Sequence, residues 1–215
     1  MPIGPSVRRR LGRLETPAAE LYRNAFFSVD HLAELVLILA PRATRILEIG
    51  CGDGTVADRM TAIHPRAEYT GVDVAPEPGR RFTGDRSRAT FRTMPSSEFR
   101  ATFPEPFDLV LVIDVLHHVP DDPDRLGLIT DAAAMLADGG TLLIKEWERI
   151  PTLSYAAGYA ADRYISGDRQ VRYMERTELL DHIRAAAPEL EHAHTATVRP
   201  WRCNVLHVLR ATRQG

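Results

Sequence analysis

Glu48, Gly50, Gly52 and Gly54 stand at alternate positions in the run Arg45-Ile46-Leu47-Glu48-Ile49-Gly50-Cys51-Gly52-Asp53-Gly54-Thr55. An apolar strand there ends in three glycines and opens into the helix-like Val56-Ala57-Asp58-Arg59-Met60. Such a junction lets a ligand lie against bare backbone, because glycine reaches unusual φ/ψ values and has no Cβ to clash. The same residues also fit a glycine-rich turn that binds nothing. Dinucleotide loops read G-x-G-x-x-G, with the third glycine packing helix against strand. Here Gly54 comes one place early and Thr55 stands where that pattern wants glycine. Cys51 lies inside the loop, where a small side chain is all that is needed.

Further along, Asp73 ends the segment Glu68-Tyr69-Thr70-Gly71-Val72, with Val74 beside it. A carboxylate in that place can accept hydrogen bonds from two vicinal ribose hydroxyls. The plainer alternative is a surface Asp capping the turn before Pro76. Asp114 and Val115 close the nearly continuous apolar run Phe107-Asp108-Leu109-Val110-Leu111-Val112-Ile113, and His117 and His118 follow at once. An imidazole near its ordinary pKa of about 6.5 suits proton abstraction at neutral pH. A histidine is as readily a structural residue, and adjacent side chains face different ways, so one of the pair at most points into a site.

The order E-x-G-x-G-x-G resembles motif I of the class I S-adenosylmethionine-dependent methyltransferases. Asp73 suits the ribose contact of that family, and Phe107 to Val119 resembles its motif IV and the segment after it. Ala137-Asp138-Gly139-Gly140-Thr141-Leu142-Leu143-Ile144 resembles its later glycine turn and fifth strand. Four landmarks in order cover roughly residues 45–146. The resemblance implies S-adenosyl-L-methionine as cofactor, held by Glu48, Gly50, Cys51, Gly52, Gly54, Asp73, Val74, Met94, Asp114 and Val115. It implies His118, or else His117, as the base. One departure stands out: no Asp follows the third strand, where Phe91-Arg92-Thr93-Met94-Pro95-Ser96-Ser97-Glu98 leaves Met94 for the adenine face and a backbone group or Ser hydroxyl for its amino group.

Strands are expected at Arg45–Ile49, Glu68–Val72, Thr90–Thr93, Leu109–Ile113, Thr141–Lys145, within Glu191–Thr197, and at Asn204–Leu209. Helices fill Ala18–Phe27, Val29–Leu39, Thr55–Ile63, Asp122–Leu136 and Thr177–Ala187, with Ser28 as an N-cap and Pro41 as a stop. Alternating β and α units with strands apolar on both faces imply a mostly parallel, doubly wound α/β sheet, seven-stranded and Rossmann-like, with helices on both faces. Ligands bind outside the carboxyl ends of such strands, near the point where strand order reverses. Residues 1–40 read as an N-terminal arm and packing helices, 41–215 as the methyltransferase domain, and 147–176 as a substrate-cover segment. Tyr155 and Tyr159 within that segment equally suit a helix packed on the domain.

A length of 215 residues suits one domain with a sizeable core. The net charge of −2 gives no reason to expect nucleic acid or an anionic membrane as partner. Lys145 is the single lysine, which reads as coding bias. Two cysteines make no disulfide framework, and His192 and His194 lack a third ligand, so no metal is expected. No apolar run reaches the roughly 18 residues of a membrane span, and the arginine-bearing start lacks a signal-peptide core. A cytoplasmic enzyme is the expectation. It would methylate an O, N or C atom of a small organic metabolite, phenolic or quinol-like. A methyltransferase-fold protein that binds the cofactor without transfer, and a nicotinamide enzyme, are the alternatives.

Overall fold

The computed structural model describes residues 26–166 and 170–212. The helix expected over Ala18–Phe27 lies outside them but for its last two residues. Helix α1 (Val29–Leu39) starts where the Ser28 side chain accepts a hydrogen bond from the His31 amide, and it buries Val29, Leu32, Ala33, Val36 and Leu39. Strand β1 (Arg45–Ile49) leads into α2 (Thr55–Ile63). Then come β2 (Glu68–Asp73), β3 (Ala89–Thr93), α3 (Ser96–Thr102) and β4 (Phe107–Ile113). A single 3-10 turn, Leu116–His118, precedes α4 (Asp122–Ala134) and β5 (Leu136–Trp147). Helix α5 (Leu153–Ala160) continues as a π-helical turn, Ala161–Ser166, and α6 (Arg176–Ala186), β6 (Leu190–Thr197) and β7 (Asn204–Ala211) complete the order.

The sheet has seven strands in the order β3-β2-β1-β4-β5-β7-β6. Strands β1 to β5 run parallel, and β7 lies antiparallel between β5 and β6. Alternation along the central strands feeds two cores. Ile46, Leu109 and Leu111 join the α1 and α2 residues on one face. Leu47, Ile49, Val110 and Val112 meet α3, α4 and α6 on the other through Phe99, Ile129 and Leu179. Fully burying an aliphatic side chain contributes about 1.5–3 kcal/mol, so these two layers hold β1 and β4 rigidly at the centre. Strand order reverses between β1 and β4, which puts the switch point beside Gly50 and Asp114.

Three expectations need correction. Helix α4 ends at Ala134, and Leu136 already belongs to β5. Ala137-Asp138-Gly139-Gly140 is a bulge inside β5 rather than a helix-to-strand turn. Phe107 pairs with Leu136 and Leu109 with Thr141, and Gly139 takes φ 72°. Helix α3 is a seven-residue element capped by Pro95 without a side-chain bond, burying Phe99 alone, so it left no periodic signal.

Candidate active site

The glycine loop hangs from β2: Gly50 and Cys51 both donate their amides to the Val72 carbonyl, at 2.7 and 3.1 Å. Its back is laced to the β2–β3 connection, with Gly79 donating to the Gly52 carbonyl at 3.0 Å and Arg81 to that of Asp53 at 2.9 Å. A Cβ on Gly54 would sit 2.8 Å from the Gly79 Cα, so that glycine is required by backbone against backbone. Gly52 differs: φ is +53° and a Cβ there would meet nothing within 4 Å. The loop therefore presents bare backbone to open space at Gly52. Gly50 makes room for the Val115 side chain, whose Cγ2 would lie 2.3 Å from an added Cβ.

Asp73 is fixed at the rim. Its Oδ2 accepts from the Gly52 amide at 2.7 Å and its Oδ1 from the Ala75 amide at 2.8 Å. Each carboxylate oxygen has a second acceptor site left, so the group keeps capacity for a diol. Val74 beside it is 74% exposed, an apolar face without a protein neighbour over most of its surface. Met94 donates its amide to the Asp73 carbonyl at 3.0 Å and packs its side chain against the β4 core. The Ser96 hydroxyl donates to Asp131 at 2.7 Å, which fixes its oxygen while leaving that oxygen's lone pairs as acceptors.

Two expected cofactor contacts are turned inward. Glu48 is buried and its carboxyl takes the Tyr69 hydroxyl. Burial, then the charges of Asp73 and Asp53, hold its pKa well above the carboxylate range. The Cys51 sulfur packs toward β2, 2.8 Å from where a Cβ on Gly71 would lie, and burial pushes its thiol pKa up. Both residues shape the loop from beneath.

Beyond β4 the chain makes a strained turn. Asp114 takes φ +56°, and both its oxygens lie 2.7 Å from the Lys145 ammonium. Lys145 is wholly buried, 4.5 Å from the Phe27 ring centroid and 5.6 Å from that of Trp147. The single lysine therefore has a structural part in the β4 turn. Burial would raise the Asp114 pKa, but Lys145 and His117 outweigh it and hold it down. Both oxygens of the Asp114 carboxylate are thus held by Lys145.

Glu146 braces the same turn. Its Oε1 accepts from the Val115 and Leu116 amides at 2.9 and 2.7 Å, and its Oε2 meets His117 Nδ1 at 2.5 Å. Arg125, buried, reaches the Leu116 and Val119 carbonyls at 3.1 and 2.6 Å. His117 is fully enclosed, so it cannot touch an acceptor as a base in this arrangement. Burial opposes its protonation, yet Glu146, Asp162 and Asp114 raise its pKa overall. His118 is half-buried, its ring centroid 4.1 Å from that of His117.

The residues after β5 cover this turn. Asp162, fully buried in the π-helical turn, accepts from the Tyr173 hydroxyl and stands 3.7 Å from His117 Nε2. Tyr173 stacks on Trp147 with centroids 6.0 Å apart and meets Tyr155 edge-on at 5.7 Å. Lys145, Glu146, Asp162 and Tyr173 were missed in the sequence, although charges closing the buried run Thr141–Ile144 were a signal, because buried charges demand partners.

Ligand atoms of His117, His118 and Asp162 lie within 4.8 Å of one another, as do those of Asp114, His117 and Glu146. That spacing would admit a divalent cation, although Lys145 and the turn amides already serve the second group. His192 and His194 do not line one face, because a bulge separates them and His192 Nε2 lies 3.4 Å from His207 Nδ1. No helix among the described residues is long and apolar enough to cross a membrane.

Strand order, glycine loop and rim carboxylate together define a class I methyltransferase. A family model described as a methyltransferase domain matches residues 16–202, and the chain belongs to that family. A ubiquinone biosynthesis O-methyltransferase of Xanthomonas campestris pv. campestris is 29% identical over 184 residues, 81% of this chain and 73% of that protein. The N-methyltransferase NodS of Bradyrhizobium japonicum superposes with a TM-score of 0.62 at 19% identity, covering 86% of this chain and 96% of the other. A Burkholderia thailandensis 1,6-didemethyltoxoflavin-N1-methyltransferase, solved with its substrate and S-adenosylhomocysteine, gives 0.67 at 17% identity over 96% and 87%.

Proposed function

We propose that this chain transfers the methyl group of S-adenosylmethionine to an oxygen of a small phenolic or quinol-like acceptor, with His118 as the base. The supporting observation is the half-buried His118 just past the carboxyl end of β4, at the switch point shared with the open Gly52 backbone. The cradle fits the cofactor on its own terms: Gly52 leaves space that any Cβ would take, Asp73 keeps acceptor capacity, and Val74 offers an exposed apolar face. Asp73 holds the ribose, Val74 and Met94 flank the adenine, and the glycine backbone admits the amino-acid end. Bound there, the cofactor supplies an electrophilic methyl group.

The protein's own part is alignment, exclusion of water and proton removal. Alignment of reactants is worth about 7–11 kcal/mol in the best intramolecular cases. His118 takes the acceptor's hydroxyl proton, and Glu146 and Arg125 keep its turn still. Residues 147–176 act as the cover over the acceptor, on a domain spanning 41–215, with the first 40 residues as a packing arm. The solved N-methyltransferases keep nitrogen open as acceptor atom, while the relative named for ubiquinone biosynthesis favours oxygen and a quinol-like ring. The chain acts in the cytoplasm on a small molecule, not on nucleic acid, in line with its net charge of −2.

The test is a panel of phenols, catechols and amines incubated with cofactor and read by mass. One acceptor should gain a single methylene unit as S-adenosylhomocysteine appears. His118→Ala should then lower kcat by about 10²–10⁴ per folded molecule with cofactor affinity kept. Binding of S-adenosylhomocysteine with no acceptor modified would instead support a binding protein without transfer.

A further inference from the structure

His117 bridges two parts of the chain that the sequence does not connect. On one side its Nδ1 meets Glu146, at the end of β5, at 2.5 Å. On the other its Nε2 faces Asp162 Oδ2 across 3.7 Å, and Asp162 belongs to the segment laid over the site. Both side chains are fully buried. His117 Nε2 and Asp162 Oδ1 are also buried atoms with no hydrogen-bond partner. An unsatisfied buried polar group costs about 1–3 kcal/mol, so two of them on side chains 3.7 Å apart call for a role. Asp162 sits in a π-helical turn, a geometry that recurs at functional sites because it re-aims a side chain at the expense of regular helix.

We propose that Asp162 is a positioning residue: through His117 it fixes the turn that carries His118, so that methyl transfer depends on the cover segment being docked. The inference rests on the reading of His118 as base. The chain of contacts is short. Tyr173 donates its hydroxyl to Asp162, Asp162 faces His117, and the His117 ring lies against that of His118 with centroids 4.1 Å apart. A second tie runs the same way, because the Arg172 amide donates to the His117 carbonyl at 2.9 Å. When the cover lifts, His117 loses its Asp162 neighbour and keeps Glu146 alone, and the turn is held from one side only. The groups facing the imidazole are then Glu146 from β5, Asp114 with its Lys145 partner, and His118 from its own turn. In the docked state Asp162 and Tyr173 are added from the cover.

The test uses the full chain, with Asp162→Asn as the first variant, since the amide keeps the size and still accepts from Tyr173. Turnover of catechol with S-adenosylmethionine should fall about tenfold to a hundredfold, while S-adenosylhomocysteine affinity by calorimetry stays within about twofold of wild type. In nitrogen NMR of the imidazoles, His117 should titrate at lower pH than in wild type, because one facing carboxylate is gone. Asp162→Glu should recover part of both readouts, which a purely structural loss would not. Unchanged turnover and an unmoved His117 titration would overturn the proposal. Equal losses of cofactor affinity and turnover would do the same. If Asp162→Asn does not fold, Tyr173→Phe decides by turnover against cofactor affinity alone, because it frees the Asp162 side chain while keeping its charge. A turnover loss with affinity kept supports the proposal, and unchanged turnover overturns it. If wild type methylates nothing, the functional reading has failed, and the His117 titration still decides the link to Asp162. Tight binding of Zn²⁺ or Mn²⁺ alone by wild type, lost in Asp162→Asn, would make His117 a ligand and overturn the proposal as well.

Discussion

The ammonium of Lys145 lies 2.7 Å from each carboxylate oxygen of Asp114, across the parallel β4–β5 pair in which Ile113 is the register partner of Lys145. The lysine has no exposure and the aspartate side chain only 9%. Asp114 also carries a left-handed backbone, which a non-glycine residue adopts only when its surroundings impose it. The pair thus pins the first residue of the turn that leads to His118.

Removing one partner should be worse than removing both. Lys145→Met leaves a buried carboxylate uncompensated and should cost about 3–5 kcal/mol, read as a lower urea midpoint. The double variant Lys145→Met, Asp114→Asn should recover most of that loss. A double variant no better than the single would show that the ion pair is not the source.

The glycines should separate into two kinds. Gly54→Ala drives a Cβ to 2.8 Å from the Gly79 Cα, which only backbone movement relieves, so its unfolding midpoint should drop. Gly52→Ala meets no neighbour and should cost about 1 kcal/mol for its left-handed backbone. It should nevertheless bind S-adenosylhomocysteine far more weakly, and Gly52→Val should not bind at all. Calorimetry on the folded variants checks both, and normal binding by Gly52→Val would reduce the loop to a structural turn.

Asp73→Ala should weaken the cofactor more than about tenfold, since charge-assisted hydrogen bonds contribute about 1.5–3 kcal/mol each. It also frees the Gly52 and Ala75 amides, which lie at the exposed rim, so the loss in thermal midpoint should be small. An unchanged dissociation constant would take Asp73 out of the site.

The pH dependence of stability has a definite sign. Burial, with His192 and Arg176 adding to it, pushes His207 down to about 4. An unfolded histidine titrates near 6.5. Between those values the unfolded chain holds a proton that the folded chain refuses, so stability present above about pH 6.5 is lost as pH falls toward 4. His64 and His192 are lowered by burial in the same direction. His117, raised, acts oppositely: its contribution is full below about 6.5 and fades as pH rises through its folded pKa. His207→Asn should flatten the fall in urea midpoint between about pH 6.5 and 4, and an equally steep fall would place the linkage elsewhere.

Much of the site was legible because its signals are local. The glycine loop, Asp73 at a strand end and the apolar run before Asp114 each declare themselves within about ten residues. The central strands followed from apolar runs that two cores demand, whereas β6, exposed along most of its length, was only loosely placed within Glu191–Thr197. What failed depends on distant partners. Lys145 looked like a compositional accident because Asp114 is 31 positions away, and only the β4–β5 register brings them together. His117 looked equivalent to His118 because adjacency in sequence does not tell which ring the Glu146 carboxylate will take. Asp162 and Tyr173 sit where the family resemblance had thinned, and their meaning comes from packing on one another.

Strand β7 has a bearing on the order of assembly. It is the outer neighbour of β5, pairing Glu146 with Val205 and Lys145 with Leu206. Arg210 also reaches back to the Leu39 carbonyl at 2.8 Å, and Asn204 to that of Phe26 at 2.6 Å. On a ribosome the glycine loop and the β4 turn emerge well before these residues. The strand bearing Lys145 and Glu146 therefore keeps a bare edge until translation has passed position 204. The Gly52 loop is held by β1 and β2, which take no partner from β7, whereas the strand that braces the His118 turn gains its outer neighbour only once β7 is present. The two halves of the site thus rest on different neighbours, one of which arrives from the far end of the sheet order.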